Sequence, residues 1–416
     1  MPGVGKSSCA VEYARYYRTE KDTTAVVRSF KASSEADIYA QYLALAKEYG
    51  ISDRSDKISV ISTVHNKLHK QGDNIIFIFD NVDKYENIKQ YIENAPNNVK
   101  IIITLRDNNI VKNLGVNPEY HYPIQPFTNT ESIKYLKQAL AYRVSTNQTS
   151  EQELQALSEE LGNSKDCLPY KLKQAVAWLN NKELSSIEDY IELHKLGEED
   201  GHETKLLLDL LNHSENAWQI LQYTAYLDPD FIDIDIFTNI FSMDRDSLNA
   251  DIKILKELSL VDVVRKPNMT GIKLHRLTQD MIPKYIDRHN GDKESTHLDK
   301  KDLIEKLHET LNKLMPFVDH NPDQRWENAG AFYQHSIKLI DFLLDNNDEQ
   351  YEYDKTDSNL ISLLDKLGMY DLYITHHYMQ SIKYSKKALE MQRELLHGKK
   401  NTEIASLLNK DRKRAV

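Results

Sequence analysis

The residues with the clearest chemical potential stand at the start of the chain, Gly3-Val4-Gly5-Lys6-Ser7-Ser8. Two glycines, a lysine and a hydroxyl at this spacing match the end of the phosphate-binding signature G-x-x-x-x-G-K-[ST]. Glycine lets successive backbone N–H groups, here those of Gly3, Val4, Gly5 and Ser8, turn toward phosphate oxygens. A helix starting at once adds its N-terminal dipole. Lys6 has the length to reach β- and γ-phosphates, and the Ser7 hydroxyl is a Mg²⁺ ligand of the usual kind. The first glycine of the signature falls one position before Met1. The working protein is therefore expected to be longer than the 416 residues given, with a strand and a glycine upstream.

A second acid-bearing stretch suits the same chemistry. Ile75-Ile76-Phe77-Ile78-Phe79 is a continuous apolar run that ends in Asp80, the pattern of a buried parallel strand that delivers a carboxylate at its tip. Such an acid holds Mg²⁺, through water, beside the phosphates. Asp83 can position a water as a base. Ile101-Ile102-Ile103-Thr104-Leu105-Arg106 repeats the strand pattern and ends in a cation suited to sensing a γ-phosphate. Asp80 also reads as a strand-end turn residue, Asp83 as an acid in a turn and Arg106 as a surface charge.

The elements that must position these groups follow from periodicity. Helical spacing covers Ser8–Arg18, Glu35–Tyr49, Ile58–His69 and Tyr85–Ile92, and strands are expected at 26–30, 74–80, 99–105 and, more weakly, 120–124. Alternating strand and helix over residues 1–128 gives an α/β domain with a parallel sheet that lacks its first strand. Residues 129–205 read as a small all-α domain. Residues 206–290 run helix, helix, helix, ribbon, the order of a winged helix, with a short first helix at 206–212. Residues 296–416 are helical. Ser362-Leu363-Leu364-Asp365-Lys366 returns as Ser406-Leu407-Leu408-Asn409-Lys410, which suggests stacked helical hairpins.

Taken in order, the motifs resemble the STAND class of P-loop ATPases, and within it the NB-ARC type joined to tetratricopeptide repeats. The similar stretches are Gly3–Ser8, Phe30-Lys31-Ala32, Phe79-Asp80-Asn81-Val82-Asp83, Thr104-Leu105-Arg106, Cys167-Leu168-Pro169 and Leu274-His275-Arg276-Leu277-Thr278-Gln279. The resemblance implies ADP locked between the P-loop domain, the helical domain and the winged helix, with Pro169 near the adenine. It matches His275 to a histidine on the ADP β-phosphate and Arg106 to the sensor arginine. It further implies exchange of ADP for ATP with Mg²⁺, slow hydrolysis, association of copies in the ATP form and a protein partner on the repeats. Ser385–Met391 with Ile404–Asn409 resembles a tetratricopeptide unit, which makes the C-terminal region an expected tetratricopeptide-like array. The sequence departs from the family pattern at Cys167, Tyr170 and Lys171.

Composition narrows the alternatives. Hydrophobic residues at 40% and charged residues at 28% describe a folded chain rather than a disordered one. The net charge of −11 argues against non-specific nucleic-acid binding. The would-be recognition helix, 246–258, mixes Asp246, Asp251 and Glu257 with Lys253 and Lys256, where a DNA reader should be basic. Two cysteines without C-x-x-C exclude a disulfide scaffold and a cysteine zinc site, and fit a cytoplasmic location. No apolar run approaches the length of a membrane span. A nucleotide-inactive helical interaction module, and less strongly a DNA-binding regulator, stand as alternatives to the nucleotide switch.

Overall fold

A computed structural model describes residues 3–50, 57–71, 74–107, 109–146, 148–162, 166–181, 186–198, 214–266, 269–288, 298–319, 324–345 and 353–396. The chain divides into two compact units, Met1–Leu206 with Glu257–Leu260, and Leu207–Lys256 with Val261–Val416. The expected helix at 206–212 and the repeat at 404–410 lie outside the described residues.

In the first unit α1 (Lys6–Tyr16) is followed by β1 (Val26–Lys31), α2 (Glu35–Glu48) and α3 (Lys57–Gln71). Then come β2 (Ile75–Val82), α4 (Tyr85–Ile92), β3 (Val99–Leu105) and α5 (Asn109–Leu114). The three strands form one parallel sheet in the order β1-β2-β3, with Phe30 opposite Phe79 and Phe79 opposite Ile103. Side chains of β2 alternate between two helical layers, which is why the whole run is apolar. Ile75, Phe77 and Phe79 pack with Phe30, Tyr42, Val64, Leu68 and Tyr91 on one face. Ile76 and Ile78 pack with Ala10 and Ala14 of α1 on the other. The two alanines let α1 approach the sheet closely.

The expected strand at 120–124 does not form. Pro118–Tyr120 is a single 3₁₀ turn, and Tyr120 and Tyr122 are exposed. A strand needs a neighbour's free N–H and C=O groups. Among the described residues β3 is an edge of the sheet rather than one side of a gap between two strands. Pro123 also removes one donor.

Five helices complete this unit: α6 (Asn129–Ala139), α7 (Ala141–Ser145), α8 (Glu151–Leu161), α9 (Pro169–Asn181) and α10 (Ile187–Glu198). Capping boxes at Thr128/Glu131 and Ser150/Glu153 start α6 and α8. Leu136, Leu157, Leu172, Trp178 and Tyr190 share their core.

The second unit runs α11 (Glu215–Thr224), β4 (Ile232–Asp233), α12 (Ile234–Phe241), α13 (Arg245–Glu257), β5 (Val261–Lys266), β6 (Met269–Leu274) and α14 (Arg276–Arg288). β6 pairs antiparallel with both β4 and β5. Gly271 permits this: a Cβ there would stand 2.6 Å from the Ile232 carbonyl oxygen.

Helices α15 (Lys300–Leu314), α16 (Gln324–Asp345), α17 (Ser358–Tyr370) and α18 (Tyr378–Leu396) follow. α17 and α18 form a hairpin across Gly368, whose carbonyl accepts the Ser381 hydroxyl at 2.7 Å. Any Cβ at Gly368 would meet Ser385 Oγ at 2.7 Å. At the bend, buried Asp371 accepts the Tyr333 and Thr375 hydroxyls.

One polar knot ties α16 to the elements before it. Buried Gln279 donates through Nε2 to the carbonyls of Thr224 (2.6 Å) and Leu227 (2.7 Å), and its Oε1 accepts Lys338 Nζ at 2.5 Å. Burial pulls the Lys338 amine down to about 8, with Asp228 opposing that shift, Arg276 adding to it, and Asp280 and Asp230 opposing it again. The unfolded chain therefore binds more protons than the folded one between pH 8 and Lys338's ordinary value of 10.5. Stability from this group should rise with pH across that window. Urea titrations at pH 8 and pH 10 should show the rise in wild type and a weaker one in Lys338→Met.

Candidate functional site

The site is assembled where α1 begins. Gly3 and Gly5 hold φ of 78° and 93°, the left-handed region that favours glycine. Cys9 N–H bonds the Gly5 carbonyl at 2.9 Å, so helical bonding starts at the loop. Val4 between them is buried and anchors the turn. Nothing lies within 4 Å of a Cβ built on Gly5, so its left-handed backbone rather than crowding is what calls for glycine there. Ser7 and Ser8 are exposed on the first turn of α1.

Strand parity brings the other groups to this place. Ile76 and Ile78 face α1, and Asp80 continues the same alternation. On β3, Ile102 faces α1, and Thr104 follows at the same parity; Arg106, exposed, comes directly after the strand. Thr104 Oγ1 donates to Asp80 Oδ1 at 2.5 Å and accepts the Asn81 N–H at 2.8 Å. Asn81 has φ of 62°, which puts an irregularity into β2 immediately after the acid, before Val82 pairs with Leu105. The Asp80 carbonyl accepts the Ala32 N–H at 2.8 Å. Asp80 is thus held by its main chain and by one oxygen of its side chain.

Lys6 is half-buried. Its amine is pushed below the usual lysine range, first by burial and then by the Arg106 guanidinium, while Asp80 pulls it back up. Lys6 is therefore within the electrostatic reach of both Arg106 and Asp80. Asp83 follows, exposed, in the turn between β2 and α4.

The helical part of the same unit reaches the loop. Pro169 opens α9, and the next N–H, that of Tyr170, donates to the Gly3 carbonyl at 3.3 Å. Phe127 and Cys167 exchange both main-chain hydrogen bonds, at 2.9 and 2.8 Å. Cys167 is buried and its thiol is pushed up to about 11, mainly by burial. It is a packing residue rather than a thiolate. The Tyr170 hydroxyl accepts Gln174 Nε2 at 2.7 Å.

His275 lies in the second unit, directly before α14. Its Nδ1 accepts the Leu277 N–H at 3.2 Å, so a neutral ring carries its proton on Nε2. Among the described residues no group of three or more His, Cys, Asp or Glu side chains could hold a metal. A Mg²⁺ bound by Ser7 and Asp80 would complete its shell with phosphate and water oxygens, the ordinary arrangement for that ion.

Thr104 carries a role that the motif search did not assign. The signal was there: alternate residues of two adjacent strands face the same way. Only the register between β2 and β3 shows which hydroxyl meets Asp80.

The described helices include none long and apolar enough to cross a membrane. A profile of the KAP family P-loop domain matches residues 3–198. No curated protein sequence matches the chain. Among solved structures the chain is similar to the Aeropyrum pernix ORC2 protein in ADPNP–ADP complexes. That match has 14% identity and a TM-score of 0.37, and covers 68% of this chain and 86% of the other. It is also similar to a Thermotoga maritima RuvB mutant, at 13% identity and a TM-score of 0.23, covering 67% and 93%.

Gly5→Ala should cost about 1–2 kcal/mol through its left-handed backbone alone, because no atom obstructs the methyl group. Urea unfolding of the two proteins measures this; equal midpoints would contradict the loop conformation. Loop, strand-end acid and family profile agree that residues 3–198 are a P-loop NTPase-type domain.

Proposed function

We propose that the chain is an ATP/ADP-binding switch of the STAND/NB-ARC type, closed with ADP, opened by exchange to ATP, and carrying a protein partner on its C-terminal helices. The observation that carries this reading is the glycine loop at the start of α1, with Gly3 and Gly5 in the left-handed region and the Lys6 amine acted on by both Arg106 and Asp80. In this reading the N–H groups of Gly3, Val4, Gly5 and Ser8 cradle the phosphates and Lys6 neutralises their charge. Ser7 and Asp80 hold Mg²⁺, with Thr104 fixing the Asp80 carboxylate. Arg106 senses the γ-phosphate, Asp83 positions the attacking water, and hydrolysis is slow. Pro169 borders the adenine, which the Tyr170–Gly3 main-chain bond supports by bringing α9 to the loop.

The order α11, β4, α12, α13 and the β5–β6 hairpin, with β6 central, supports a winged helix. A DNA-reading role for it is disfavoured. On α13, Arg245 is engaged by Asp235 at 2.6 Å and Asp251 accepts the Ser214 hydroxyl at 2.8 Å. The α17–α18 hairpin supports a helical-repeat, tetratricopeptide-like array. His275 is assigned to the ADP β-phosphate by resemblance, and its Nε2–H supplies a suitable donor.

Calorimetric titration of the full chain with ADP should detect binding, and Lys6→Ala should weaken it at least tenfold, about 1.4 kcal/mol. Unchanged affinity in Lys6→Ala would refute the site, and no binding by wild type would favour the nucleotide-inactive interaction module. A ligand shifts a conformational equilibrium only through unequal affinity for the two states. His275→Ala should therefore weaken ADP several-fold while sparing ATP. Parallel titrations with the two nucleotides test this, and equal losses would remove His275 from the role.

A further inference from the structure

We infer that the outward face of α18 is a docking surface for an acidic amphipathic helix of a partner protein. This deepens the partner-binding part of the proposed function and rests on it. Ser381, Tyr384, Ala388 and Met391 turn inward. Opposite them Tyr378 is 57% exposed, Met379 81%, Ile382 46% and Leu389 47%. At the helical turn angle these four, with Lys386 and Arg393, fall within a strip about 100° wide that contains no acid. Lys386 and Arg393 are exposed, and among the described residues neither is in an ion pair. Several large apolar side chains left on the surface along one strip of a helix mark a contact site. A helix laid along them would use i, i+3, i+4 and i+7 anchors.

The charge of the strip selects the occupant. Two free cations between apolar anchors call for carboxylates flanking an apolar stripe. Residues 397–416 do not meet that need. They hold Lys399, Lys400, Lys410, Arg412, Lys413 and Arg414 against Glu403 and Asp411, the same sign as the strip. A membrane is disfavoured too. Glu390 and Glu394 border the strip and the whole chain carries −11, so an anionic bilayer would meet repulsion beyond the strip itself. A narrow helix engages only the strip, within a Debye length.

The test uses the full chain and a fluorescein-labelled amphipathic peptide with leucines at i, i+3 and i+7 flanked by glutamates. A counterpart with glutamines in place of the glutamates and vesicles of phosphatidylcholine with phosphatidylserine serve as comparisons. Anisotropy should show micromolar binding of the acidic peptide, weakened at least tenfold by the glutamine counterpart and by raised salt. The Lys386→Glu, Arg393→Glu pair and the Ile382→Ser, Leu389→Ser pair should each cost at least tenfold. If the serine pair loses helical circular dichroism, the charge pair alone decides. Absence of peptide binding, or binding that neither pair weakens, overturns the proposal. So does binding of vesicles, or self-association in sedimentation, that these pairs abolish while the peptide stays unbound. ADP titration of the same samples keeps failure of the nucleotide site distinct from failure of this surface.

Discussion

Pairing of β2 with β3 in parallel fixes which side chains stand over the loop before α1. Opposite Phe79 sits Ile103, so the next residue on each strand, Asp80 and Thr104, turns to the same face. Hydroxyl and carboxylate then meet, and Asn81 takes the left-handed region as a bulge before Val82 rejoins the ladder opposite Leu105. A slip of one residue would send Asp80 into the aromatic core of the other face. That core, with Phe30, Phe77, Phe79, Tyr42 and Tyr91, resists such a slip because large rings on one face cannot exchange with the small alanine-lined face. Packing far from the loop thus determines the chemistry at the loop.

Much of the first unit was legible. The run Ile75–Phe79 can be buried on both faces only in a covered parallel sheet, and Gly5-Lys6-Ser7 names its own backbone shape. Tyr120–Ile124 misled because β-propensity describes side chains that fit a pleated surface and does not say whether the chain lays the segment beside a sheet edge. The role of Thr104 and the Tyr170–Gly3 bond stayed hidden for another reason. Both depend on register or docking between segments far apart in the sequence, which local spacing does not encode.

In the second unit the stretch Leu274–Gln279 reads as a nucleotide sensor by resemblance, yet its last member has a structural task of its own. Gln279 donates to the carbonyls of Thr224, at the end of α11, and Leu227, just beyond it, and takes the amine of Lys338 from α16. Buried polar groups are costly unless every partner is present. This knot therefore stiffens the passage from the β6–α14 corner into the C-terminal helices. A motif can thus persist for the packing of one residue and the chemistry of another.

The bond from Tyr170 N–H to the Gly3 carbonyl is made by peptide groups. It is therefore indifferent to residue type. Position 170 can carry many side chains without severing the helical bundle from the loop; only proline would cut the link. The side chains at the start of α9 are then free to serve whatever lies beside them, while the mechanical attachment of α9 to the loop stays with the main chain.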